Sequence, residues 1–111
     1  MSGAILNELY QTICERKKSA DLTDGLADKS YTKYLFREGL NKILKKVGEE
    51  AAETIIAAKD TGVKNYNARV IEETSDLIYH LLVMLAELGI EFSDVEAELV
   101  KRAKKTNNMK G

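Results

Sequence analysis

Lys45-Lys46-Val47-Gly48-Glu49-Glu50-Ala51-Ala52-Glu53, echoed further along by Glu73-Thr74-Ser75-Asp76, is the stretch on which the reading of this chain turns. Each segment carries two carboxylates three residues apart, Glu50/Glu53 and Glu73/Asp76. On a helix that spacing puts both side chains on one face, with Cβ atoms about 5–6 Å apart.

Both segments lie in stretches with helical periodicity. In the first, Ile43, Val47, Ala51, Thr54, Ile55 and Ala58 make an apolar stripe, and Lys46, Glu50 and Glu53 make a row along its flank. In the second, Val70, Thr74, Leu77, Ile78, Leu81, Leu85 and Leu88 make the stripe, and Arg69, Glu73, Asp76 and His80 the flanking row. The two rows fall on the same rotational side. Packed as an antiparallel hairpin, the helices bring four carboxylates to one patch at the edge of the core. Four ionised acids so close repel one another. A hard cation relieves that repulsion, and oxygen-only ligands suit Mg²⁺ or Mn²⁺. A solvated charged face, which amphipathic helices ordinarily carry, would use the same residues.

Composition narrows the field. The chain has 111 residues, 17 Lys+Arg against 18 Asp+Glu, and a net charge of −1. That length allows one domain with a modest core, residues 1–111. The charge balance gives no general pull toward nucleic acid or a membrane surface. No apolar run reaches the ~20 residues of a membrane span, and the N-terminus lacks the apolar core of a secretion signal. The single cysteine, Cys14, rules out an internal disulfide framework and fits a reducing cytoplasm; we read it as a packing residue. With one cysteine and one histidine, a Cys/His zinc site within one chain is nearly excluded. A di-iron bundle needs Glu-x-x-His on two helices, a pattern this sequence lacks. No glycine-rich phosphate loop is present. Without proline or a β-branched run of period two, the composition points to an all-α bundle of four to five helices.

The first helix is expected from about Gly3 to Lys18, with Ile5, Leu6, Leu9, Tyr10 and Ile13 on one face. Ser19 to Ser30 reads as a loop, long for a helix connection and therefore a functional or mobile segment. Ser30 or Thr32 caps a short helix, Lys33 to Glu38, which breaks at Gly39. A longer helix follows from about Leu40 to Asp60, with Gly62 as a left-handed stop. Gly48, in its middle, implies close approach of another backbone or a ligand. The next helix runs from Asn65 or Asn67 to Leu88 and stops at Gly89. Ser93 and Glu96 form a capping box for the last, about Asp94 to Lys105, and residues 106–111 fray.

Within the fourth helix, Leu77-Ile78-Tyr79-His80-Leu81-Leu82-Val83-Met84-Leu85-Ala86 is apolar almost all round. Such a helix is covered on both sides. A domain this small does not supply the second cover, so a homo-oligomer is expected, a two-fold dimer with this helix near the interface. A lone histidine on an apolar helix, His80, is ordinarily a hydrogen-bonded core residue. Its functional alternatives are a partner to Asp76, one turn away, or a substrate contact. Lys45 and Lys46 read as an exposed pair, although Lys46 shares the row of Glu50 and Glu53 and can meet phosphate as a point charge.

Glu49-Glu50-x-x-Glu53 followed by Glu73-x-x-Asp76 resembles the Mg²⁺-dependent all-α nucleoside triphosphate pyrophosphohydrolases, the MazG-like group. Ser30-Tyr31-Thr32-x-x-Leu35-Phe36-x-x-Gly39, Ile43-x-Lys45-Lys46-Val47-Gly48-Glu49-Glu50-Ala51-x-Glu53 and Asp76-Leu77-x-Tyr79-His80-Leu81 resemble, more specifically, the phosphoribosyl-ATP pyrophosphohydrolase family of histidine biosynthesis. The resemblance runs from the first helix to about Ala103. It implies hydrolysis of phosphoribosyl-ATP to phosphoribosyl-AMP and pyrophosphate. It also implies Glu50, Glu53, Glu73 and Asp76 as ligands of Mg²⁺, which bridges them to the triphosphate and activates water. Glu49 is then the candidate to orient or deprotonate that water, toward a neighbouring subunit's side of the cleft. Lys46, Lys45 and Lys42 would steady phosphate oxygens, and Ser30, Thr32 and Arg37 would meet the phosphoribosyl end. A house-cleaning pyrophosphatase acting on other nucleotides would use the same acids, and a non-catalytic helical interaction module would use none of them.

Overall fold

A computed structural model describes residues 2–20 and 30–105, which form five helices and, among the described residues, no strand. They are α1 (Ser2–Lys18), α2 (Tyr31–Glu38), α3 (Leu40–Lys59), α4 (Tyr66–Leu88) and α5 (Phe92–Lys104). The all-α bundle expected from composition is the fold observed. The expected loop lies mostly outside the described residues, as does the expected frayed tail.

Local chemistry explains where the helices begin and end. Ser30 takes an extended backbone (φ −66°, ψ 120°), and its hydroxyl accepts the Lys33 N–H at 3.2 Å, satisfying one free donor of the first turn of α2. Gly39 separates α2 from α3 with φ 99° and ψ −177°, a conformation open to glycine almost alone. α4 stops at Gly89 (φ 73°), where the Ile90 N–H reaches the Leu85 carbonyl at 2.9 Å and the Gly89 N–H the Ala86 carbonyl at 3.2 Å. This paired closure is the glycine-ended helix terminus. The Lys17 ammonium donates to the Ala86 carbonyl at 2.9 Å, tying the end of α1 to the same terminus.

α3 and α4 form the central antiparallel hairpin. The Tyr66 hydroxyl donates to the Ala58 carbonyl, and Thr54 lies against Glu73, so partners run in opposite directions along the two helices. α1 packs against α4, α2 and α5, and α2 against α3. Tyr10 and Ile13, Leu35, Ile43, Leu82, Val83, Ala86 and Phe92 meet in one buried cluster. The Tyr10 hydroxyl keeps a partner there, donating to the Ile90 carbonyl at 2.6 Å.

Four expectations change. α3 ends at Lys59, and Gly62 is not among the glycines with positive φ. The last helix starts at Phe92 with Glu91 at its N-cap and no side-chain cap, so Ser93 lies inside the helix and cannot form the capping box, and the Glu96 carboxylate accepts from the Asn7 amide. Among the described residues nothing lies within 4 Å of where a Cβ would stand on Gly48, so no described backbone approaches there. The buried lines are also rotated from the apolar stripes read in sequence. On α3 they pass through Ile43, Glu50 and Ala57, while Ile55 is 64% exposed; on α4 they pass through His80, Leu82, Val83 and Ala86. Ranking side chains by apolarity places the acids on a flank, whereas helix packing turns Glu50 inward and leaves Glu53 exposed.

Candidate active site

Ile43, Glu50 and Ala57 stand two turns apart and therefore in line, and that line faces α4. Glu50 is only 7% exposed. The Thr54 hydroxyl lies 2.8 Å from the Glu50 carbonyl oxygen and 3.1 Å from that of Glu73, fixing the two helices at this level. One carboxylate oxygen from each of Glu50, Glu73 and Asp76 lies within 4.8 Å of the others. Glu53, the fourth expected acid, stands exposed one turn along α3.

This cluster is electrostatically unsatisfied. Glu50 Oε1 and Glu73 Oε1 are buried atoms that find no hydrogen-bond partner among the described residues. Burial, with the charges of Glu53 and Asp76, holds the Glu50 carboxyl above its ordinary range, against a smaller opposing pull from His80 and Lys46. Burial and the neighbouring Glu53, Glu50 and Asp76 do the same to Glu73. Two orphaned acceptors in an all-carboxylate set fit a hard divalent cation, whose ligands are oxygens.

Beside the acids the surface becomes basic. The Lys46 ammonium sits 3.2 Å from Glu49 Oε1 and 3.9 Å from Glu50 Oε2, bridging the acids to a cavity of about 260 Å³. Tyr31, Tyr34, Lys42, Lys45, Lys46 and Glu49 line it. Glu49 thus faces the lysines, on another side of α3 from Glu50. The Lys42 ammonium lies 5.7 Å from the Tyr34 ring centroid, and bonding to Tyr34 raises its pKa.

His80 has both nitrogens engaged inside the protein. Its Nδ1 is 2.8 Å from the Asp76 carbonyl oxygen and its Nε2 is 2.9 Å from the Tyr31 hydroxyl. A carbonyl only accepts, so Nδ1 carries a proton and donates to it; in the neutral ring Nε2 then accepts the Tyr31 O–H. The other sequence candidates are spread around this centre. Thr32 is buried and hydrogen-bonded to the Tyr79 hydroxyl. Ser30 caps α2 and accepts from the Arg16 guanidinium at 3.2 Å. Arg37 donates to the Ala20 carbonyl at 3.4 Å, on the α1 side. The sequence reading assigned no role to Tyr31 or Tyr34. The signal was their i, i+3 spacing on a short helix, which gives them a common face.

A family model described as phosphoribosyl-ATP pyrophosphohydrolase matches residues 6–103. A phosphoribosyl-ATP pyrophosphatase of Listeria welshimeri is 49% identical over 98 residues, 88% of this chain and 84% of the relative. One of Clostridium novyi is 42% identical over 106 residues, 96% of this chain and 87% of the relative. One of Pelotomaculum thermopropionicum is 48% identical over 101 residues, 91% and 93% of the two chains. By the extent of that match and the identity across nearly its whole length, the chain belongs to the phosphoribosyl-ATP pyrophosphohydrolase family.

Proposed function

We propose that this protein hydrolyses phosphoribosyl-ATP to phosphoribosyl-AMP and pyrophosphate, a step of histidine biosynthesis. The observation that carries the reading is the cluster of Glu50, Glu73 and Asp76, with two buried unpartnered oxygens, beside a lysine-lined cavity in a chain of this family. Glu50, Glu73 and Asp76 would hold Mg²⁺, with Mn²⁺ as a substitute and Glu53 adding its charge at the rim. The bound cation supplies the positive charge that lets a polyphosphate approach these acids.

The protein's own groups do the rest. Lys42, Lys45 and Lys46 attract the anionic chain and steady its oxygens as point charges. Glu49 accepts the proton of the attacking water, its carboxylate held in place by the Lys46 ammonium. Water oxygen attacks the α-phosphorus, the bond to the bridging oxygen breaks, and pyrophosphate leaves with the bonding pair. Lys46 is positioned to offset charge on that leaving group. The test is pyrophosphate release from phosphoribosyl-ATP, assayed beside a panel of ordinary and abnormal nucleotides with and without Mg²⁺. Mg²⁺-dependent preference for phosphoribosyl-ATP is expected; preference for another nucleotide would contradict the substrate, and no release from any would contradict the activity.

A homodimer is part of the same proposal. An apolar groove of about 370 Å³ runs between α1, α4 and α5, lined by Leu6, Ile78, Leu81, Met84, Phe92 and Leu99 among others. A second copy of the chain seated on this groove would supply its apolar cover.

A further inference from the structure

Tyr31 and Tyr34 are 44% and 37% exposed, yet they are not loose surface aromatics. Tyr31 stacks at a shallow 29° with Tyr34 (centroids 6.1 Å apart) and with Tyr79 (6.4 Å), and the Tyr31 and Tyr34 rings together line the lysine-rich cavity. We propose that this tyrosine wall is where the purine ring of phosphoribosyl-ATP stacks, with Tyr31 as the contacting residue and His80 as the positioning residue that fixes it. The proposal rests on the substrate proposed above.

The substrate has two unlike parts, an anionic phosphate chain and a flat heteroaromatic ring. The cavity has two unlike walls to match. α3 contributes Lys42, Lys45 and Lys46, which suit phosphate, and α2 contributes the two tyrosines. A base offers a π-face to any aromatic wall, and stacking of this kind is a recurrent means of holding nucleotides. Ser30 and Thr32 flank Tyr31, but their hydroxyls are committed to the α2 cap and to Tyr79. The tyrosine rings are therefore what this end of α2 offers a ligand.

Tyr31 is also held more firmly than an exposed residue at the start of an eight-residue helix needs to be. Its hydroxyl donates to the buried His80, whose other nitrogen donates to the Asp76 carbonyl. The ring of His80 further stands edge-on to Tyr31, with centroids 5.7 Å apart and planes at 80°. The chain Tyr31 O–H to His80 to Asp76 C=O thus connects the stacking face on α2 to the residue whose carboxylate sits in the acidic cluster on α4. A base held by Tyr31 and a phosphate chain held at the acids are thereby kept in one frame. The lone histidine acts on the reaction through Tyr31, without touching substrate.

The experiment compares wild type with Tyr31→Leu, Tyr31→Phe, His80→Gln and His80→Asn. It reads KM and kcat for phosphoribosyl-ATP and the inhibition constants of ATP and inorganic tripolyphosphate at saturating Mg²⁺. Tyr31→Leu should raise KM and the ATP constant on the order of tenfold, with kcat and the tripolyphosphate constant little changed. Tyr31→Phe keeps the ring and loses the tether, so a KM rise of about threefold is expected. Gln at 80 retains an acceptor within reach of the Tyr31 hydroxyl, whereas Asn is too short. His80→Gln should therefore stay near wild type and His80→Asn should resemble Tyr31→Phe. The Tyr31→Phe/His80→Asn double variant should be no worse than either single change. Equal loss of tripolyphosphate and ATP binding in Tyr31→Leu, or equal damage from Gln and Asn at 80, would overturn the proposal. A wild-type protein that binds ATP in a Tyr31-dependent way but hydrolyses no phosphoribosyl-ATP would refute the activity and still support the stacking face.

Discussion

Glu50 and Glu73 are acids placed where acids are costly, and the cost is what identifies them. Each has a buried oxygen without a partner, and each carboxyl is pushed above the ordinary 4.5, by burial first and neighbouring acids second. In the cation-free protein the folded state therefore holds protons at a pH where the unfolded chain has released them. Stability contributed by these groups is present below about pH 4.5 and is lost as pH rises through their elevated values. Thermal unfolding without divalent ions should show a falling melting temperature as pH rises from 4.5 toward neutrality, beyond that of Glu50→Gln. Mg²⁺ should restore the loss at neutral pH in wild type but not in Glu50→Gln. A pH slope and Mg²⁺ response identical in the two proteins would contradict this. For catalysis, Asp76→Asn should lower kcat by roughly a hundredfold or more with helicity by circular dichroism unchanged, since a cation at such a site supplies several kcal/mol of charge stabilisation. The carboxylate spacing was legible in the sequence because i, i+3 geometry is local. The inward rotation of Glu50 was not, because it depends on which line of α3 meets α4, and Ile55 outranks Glu50 on any hydropathy scale.

At the scale of the helices, two glycines look alike in sequence and differ in structure. Gly39 holds φ 99° with ψ near 180°, so Gly39→Ala is expected to destabilise by about 1–3 kcal/mol in chemical denaturation, although there is open space for the methyl group. Gly48 is helical, and among the described residues nothing lies within 4 Å of an added Cβ, so Gly48→Ala should stabilise by about 1 kcal/mol through helix propensity alone. If substrate or a partner fills that space, the same substitution should also cost activity; a variant that is both more stable and fully active would show that Gly48 serves neither. All five helices were legible, α1, α3 and α4 from apolar periodicity and α2 and α5 from cap and breaker residues. Ends set by glycine dihedrals, at Gly39 and Gly89, were legible too. The start of α5 was not: its N-cap is Glu91, so Ser93 falls inside the helix, and the distant Asn7 amide takes Glu96.

For the molecule as a whole, the near-continuous apolarity of Leu77–Ala86 has a structural counterpart in the groove that includes Ile78, Leu81, Met84 and Leu85. Val83 and Ala86 serve the buried cluster alone, Ile78 and Leu81 serve the groove, and Leu82 lies where the two meet. Leu81→Glu is expected to shift the sedimentation mass at micromolar concentration from two chains to one. A wild type that already sediments as one chain would contradict the dimer. The pairing of an acidic cluster with a basic, aromatic cavity was only half legible. Its lysines and acids share one motif, but the tyrosine wall comes from α2, brought alongside by packing that no local pattern encodes.

The proposed hydrolysis depends above all on Glu50, Glu73 and Asp76 gripping a divalent ion from two helices at once. The most direct measurement is anomalous diffraction from crystals soaked in Mn²⁺. The predicted result is an ion at bonding distance from oxygens of all three carboxylates, lost in Asp76→Asn crystals soaked the same way. Bound Mn²⁺ elsewhere on the protein, with those three carboxylates unligated, would contradict it.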